Sequence, residues 1–121
     1  MSARILIVDD ESVTRRLVTF TLKSINVESV SAENGLQAID FAEQGQFDLA
    51  LVDINLPDID GFEVVERLKQ IDHMRDVPIL MFTARSHQGD ELRAQEVGAV
   101  GFFYKPFSTQ DLRDLVRRYT A

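Results

Sequence analysis

The chain has 121 residues, the size of one folded domain, and its 45% apolar and 27% charged composition excludes a disordered tail or a fibrous repeat. A net charge of −7 disfavours direct contact with a nucleic-acid backbone. With no cysteine and two histidines, His73 and His87, disulfides, thiolate nucleophiles and ordinary zinc centres are excluded, so oxygen must hold any metal.

Residues 4–8 are a short apolar run that reads as a first strand. Val13, Leu17 and Phe20 then recur at helical spacing, as a core-facing stripe does. Residues 27–31 read as a second strand, and Asn34 with Gln37 forms a capping pair opening a helix that carries Leu36, Ile39 and Ala42. A third strand over 47–53 precedes a helix with Phe62, Val65 and Leu68, and a fourth covers 78–83. Residues 86–97 contain Gly89 and little apolar surface beyond Leu92, Ala94 and Val97, so a marginal helix is expected there. Residues 101–104 form a fifth strand, after which Ser108 with Asp111 caps a last helix bearing Leu112, Leu115, Val116 and Tyr119.

The strands are apolar at successive positions, which suits a sheet covered on both faces. Strands alternating with helices in this length predict an α/β fold, a flavodoxin-like open parallel sheet of order 2-1-3-4-5 with five helices on its two faces. Residues 1–121 read as a single domain with no output domain among them. The apolar runs fall far short of the ~18 residues a membrane span needs, and Asp9, Asp10 and Glu11 interrupt any early secretory signal. A cytoplasmic location without membrane contact is expected.

In such a sheet function sits at the carboxyl ends of the strands. Those ends carry Asp9 and Asp10, Asp53, Thr83 and Lys105. Each has an ordinary reading alone: acids at the positive end of a helix, turn residues, a β-branched strand end, a solvated lysine. Together they form one crevice. Clustered carboxylates need cations, Lys105 supplies one charge, and Mg²⁺ suits a few carboxylates while leaving room for water and phosphate. Asp53 is the candidate nucleophile, a carboxylate able to form an acyl phosphate, with Lys105 and Thr83 stabilising the transferred group. Asp58, Asp60 and Gly61 do not complete a calcium loop, because Leu56 and Arg67 fall at its first and last positions. His73 and His87 read as solvated.

Ile7-Val8-Asp9-Asp10-Glu11, Val52-Asp53-Ile54-Asn55-Leu56-Pro57, Asp60-Gly61, Phe82-Thr83-Ala84, Gly98-Ala99 and Lys105-Pro106-Phe107 follow in order. With them the whole chain resembles a response-regulator receiver domain, the chemotaxis-regulator-like phosphoacceptor module of two-component signalling. The resemblance implies that Asp53 takes a phosphoryl group from the phosphohistidine of a histidine kinase or phosphotransfer protein. It implies Mg²⁺ held by Asp10, Asp53 and the Asn55 carbonyl, with Asp9 acting through water. Thr83, the Ala84 amide and Lys105 would hold the phosphoryl group, and Pro106 would follow a cis bond. Thr83 and Phe102 would switch a partner-binding face of helix 4, strand 5 and helix 5, and the chemistry would modify the chain alone. Asn55 and Arg85 occupy positions that tune acyl-phosphate lifetime in the family. Val100-Gly101 departs from the acidic pair that follows Gly-Ala in many transcription-factor receivers. The alternatives are an aspartate-nucleophile phosphatase-like enzyme, whose motif follows a first strand, and a receiver-like module that binds partners without phosphorylation.

Overall fold

The computed structural model describes residues 3–84 and 87–120. Strands and helices alternate as β1 (Arg4–Val8), α1 (Ser12–Lys23), β2 (Glu28–Ala32), α2 (Gly35–Gln44), β3 (Leu49–Val52), α3 (Gly61–Leu68), β4 (Ile79–Thr83), α4 (Asp90–Val97), β5 (Gly101–Tyr104) and α5 (Thr109–Thr120). A 3₁₀ turn, Asp72–Met74, precedes β4. All strand pairs are parallel, and the order β2-β1-β3-β4-β5 is the expected flavodoxin-like one.

The period of two along each strand divides the interior into two cores. Leu6, Val8, Ala50, Val52, Ile79 and Met81 face the helices α2, α3 and α4. Ile5, Ile7, Leu49, Leu51, Leu80 and Phe82 pack with Val18 and Leu22 of α1 and Leu112, Leu115 and Val116 of α5. Burial on both faces is why these strands show no polar alternation. Each large side chain so buried contributes about 1.5–3 kcal/mol. No helix among the described residues is long and apolar enough to cross a membrane.

Helix α2 opens as its sequence predicts: Asn34 accepts from the Gln37 amide at 2.8 Å. The Gln37 side chain reaches back to the amide of Glu33 rather than that of Asn34. The Ser108 hydroxyl accepts from the Asp111 amide at 2.9 Å and opens α5.

Four expectations need correction. The Val13, Leu17 and Phe20 stripe points outward, with Phe20 76% exposed. Helix α1 instead meets the sheet through Thr14, Val18, Thr21 and Leu22, a face half made of threonines, so hydrophobicity alone selects the wrong side. For the same reason Leu36 is exposed while α2 packs through Gly35, Ala38 and Ala42. Helix α4 starts at Asp90, after Gly89 at φ 89°, a left-handed conformation that glycine tolerates and that ends any earlier helical run; residues 85 and 86 lie outside the described residues. His73 is exposed yet not merely solvated, since its ring Nε2 donates to the Ala42 carbonyl at 2.6 Å and ties the 3₁₀ turn to α2.

Candidate functional site

Val8 lies opposite Val52 in the β1/β3 ladder, so Asp9 and Asp53 leave neighbouring strands at one level. Strands lie ~4.8 Å apart, which brings the two carboxylates within reach of a common partner. The ladder continues one step past each strand end. Asp9 N–H donates to the Ala32 carbonyl at 3.0 Å, Asp53 N–H to Val8 at 2.9 Å and Lys105 N–H to Thr83 at 2.8 Å. The backbone at all three residues is thus set by the sheet.

Asp9 is fully buried and Asp53 is 7% exposed. Lys105 reaches in over the Phe82 ring, with Nζ 4.6 Å from the ring centroid. Its ammonium donates to Asp9 Oδ2 at 2.5 Å and Asp53 Oδ2 at 3.1 Å. The second oxygens accept backbone amides, Asp9 Oδ1 from Glu11 at 2.9 Å and Asp53 Oδ1 from Asn55 at 3.1 Å. Asp10 is exposed at the rim, and one oxygen each from Asp9, Asp10 and Asp53 lie within 4.8 Å of one another.

Burial, with a smaller push from the neighbouring Asp9 carboxylate, raises the Asp53 carboxyl above its ordinary value, and together they outweigh the Lys105 ammonium and the Asn55 amide, which bring it down. Burial lowers Lys105, but the carboxylates of Asp9 and Asp53 together outweigh it and the ammonium is held above its usual range. Three carboxylates against one ammonium leave an excess of two negative charges in a pocket that offers oxygen alone and opens to water at Asp10. That donor set fits a hard divalent cation such as Mg²⁺.

Thr83 closes β4 and is buried, with the exposed Ala84 after it. Asn55 is exposed in the loop after β3. The Lys105–Pro106 bond is cis. Phe102 sits on β5 with its ring stacked on Tyr104 at 5.6 Å and lines a small groove with Ala94, Gln95 and Ala99. Arg85 lies outside the described residues.

Sequence reasoning missed what holds the Asp53 loop. Asp60 caps α3 by accepting from the Glu63 amide at 2.9 Å, and Asp60-x-x-Glu63 before an apolar run is a capping signal that could have been read. The same carboxylate pairs with Arg93, whose guanidinium also stacks on Phe62 at 4.5 Å. A Cβ at Gly61 would stand 2.0 Å from the Asp53 carbonyl oxygen, so this position admits no side chain while the loop keeps its path.

A flavodoxin-like sheet whose strand ends bring three acids around a lysine defines a phosphoacceptor type of protein. Residues 5–117 match the response regulator receiver domain family, and the chain belongs to it, as a phosphoacceptor of two-component signalling. It is 34% identical to sporulation initiation phosphotransferase F of Bacillus subtilis over 98% of this chain and 94% of that protein. The structure of Vibrio cholerae chemotaxis protein CheY4 superposes with a TM-score of 0.94 at 31% identity, covering 98% of this chain and 99% of that one. The receiver domain of a sensor histidine kinase from Pseudomonas aeruginosa, with a magnesium ion coordinated in its active-site cleft, gives 0.88 at 28% identity over 98% of each chain.

Proposed function

We propose that this chain is a single receiver domain over residues 1–121 in which Asp53 accepts a phosphoryl group from the phosphohistidine of a histidine kinase or phosphotransfer protein. The observation that carries this reading is the convergence of the buried Asp9 and Asp53 carboxylates on the Lys105 ammonium, with Asp10 beside them. An Asp53 oxygen attacks phosphorus, the P–N bond breaks, and the donor imidazole leaves with the electron pair and gains a proton from water. Once ionised, Asp53 needs no general base.

Asp10, Asp53 and the Asn55 carbonyl would hold Mg²⁺, with Asp9 acting through water. When bound, the ion supplies positive charge that offsets the phosphoryl oxygens. Lys105 neutralises a further share, while the Thr83 hydroxyl and the Ala84 amide orient the group. The chain catalyses its own phosphorylation and dephosphorylation and acts on no other substrate. Phosphorylation biases Thr83 and Phe102 and so the face of α4, β5 and α5 that a downstream protein reads. The same reading places the domain in the cytoplasm, away from membranes and, with its charge of −7, without direct nucleic-acid contact.

Incubation with Mg²⁺ and acetyl phosphate tests this by mass spectrometry. One phosphoryl group is expected on the wild type and none on Asp53→Asn. An unmodified wild type, or a modified variant, overturns the assignment.

A further inference from the structure

Asp10 lies in the turn between β1 and α1, so its carboxylate is aimed by backbone geometry. The peptide unit from which it hangs begins at the Asp9 carbonyl. That carbonyl accepts from Arg15 Nη1 at 2.8 Å, across six residues of chain. The other guanidinium nitrogen, Nη2, lies 3.4 Å from Glu33 Oε2 in the loop after β2. The Arg15 side chain is 17% exposed, unlike Arg16, which faces solvent. A charged donor binds a carbonyl roughly twice as strongly as a neutral one.

We infer that Arg15 is a positioning residue for the acidic pocket: it pins the Asp9–Asp10 peptide to α1 and thereby keeps the Asp10 carboxylate aimed at a divalent cation shared with Asp53. This rests on the Mg²⁺ reading above. The guanidinium fork reaches a carbonyl in one loop and a carboxylate in another, which the single ammonium of a lysine cannot do with the same geometry. The sign of the effect separates placement from charge. Removing a cation near three carboxylates strengthens Mg²⁺ binding by Coulomb's law alone, whereas loss of placement weakens it.

Calorimetric titration of wild type, Arg15→Ala and Arg15→Lys with magnesium chloride decides between them. For a positioning partner the dissociation constant should rise by about tenfold in Arg15→Ala, with Arg15→Lys between it and the wild type. Phosphorylation by acetyl phosphate should be slowed most at limiting Mg²⁺, with the gap narrowing as the ion is raised. A folded Arg15→Ala protein whose affinity is unchanged or tighter overturns the inference. Where circular dichroism shows that Arg15→Ala does not fold, Arg15→Lys carries the test: several-fold weaker binding supports placement, and wild-type affinity overturns it. A wild type that binds no Mg²⁺ refutes the metal reading itself, and this inference falls with it.

Discussion

Asp53 combines burial with a negative charge, and the fold bears a cost for it. Because burial raises its carboxyl above the unfolded value, protonation is easier in the folded state than in the unfolded one. The stability linked to this group is present below the unfolded pKa and is lost as pH rises through the folded one. Asp53→Asn should therefore melt a few degrees higher than wild type near neutral pH without Mg²⁺, and scanning calorimetry should show the gain shrinking in acid. A variant that melts lower at neutral pH would contradict this balance. At Gly61 the effect is steric: a methyl group 2.0 Å from the Asp53 carbonyl oxygen must push backbone, not a flexible side chain. Gly61→Ala should lose about 1–3 kcal/mol in urea unfolding and also slow phosphorylation of Asp53. Asp9, Asp53 and Lys105 were legible because each directly follows an apolar strand, and Asp10 because it adjoins Asp9. Gly61 was legible only through resemblance, since no local pattern reveals what its missing Cβ would strike.

At the scale of elements, helix α2 is held from outside itself. Asn34 satisfies the Gln37 amide, while the two oxygens of Asp58, from the loop after β3, each accept at 2.8 Å from the amides of Gly35 and Leu36. Slight burial opposes ionisation of Asp58, but the amides of Leu36 and Gly35 hold its carboxyl below its ordinary value. Stability from this cap is present above the unfolded pKa and is lost as pH falls through the folded one. Asp58→Ala should cost about 1 kcal/mol near neutral pH, and chemical unfolding should show the difference from wild type closing in strong acid. A difference that persists there would assign the loss to packing instead. The strands and the caps at Asn34 and Ser108 could be read locally, because each signal lies within a few residues. The Asp58 cap reaches 23 residues back along the chain, beyond the range of any such pattern. The face of α1 was misread for another reason. Thr14 and Thr21 occupy buried positions, and Thr21 Oγ1 has no hydrogen-bond partner among the described residues.

Across the whole molecule, the acidic pocket and the groove beside Phe102 share the β4/β5 pair. Thr83 at the pocket end of β4 lies opposite Tyr104, and Tyr104 stacks on Phe102. Phe102 in turn borders α4, which buries Ala94 alone of its residues and is held to α3 by the Arg93 contacts with Asp60 and Phe62. Few buried contacts mean a low free energy of local rearrangement, so α4 is the element most easily moved. Driving such an equilibrium from 1:99 to 99:1 takes ~5.5 kcal/mol of differential binding, which the proposed phosphoryl contacts with Lys105 and Thr83 would have to supply. Trifluoroberyllate, a phosphoryl mimic, added with Mg²⁺ should therefore shift amide resonances of Phe102, Tyr104 and the residues of α4 as well as those around Asp53. In α2, on the far side of α3, the resonances should move little. Shifts confined to the Asp53 pocket would break the link between phosphorylation and the outer face, leaving the acceptor chemistry without this route to a partner.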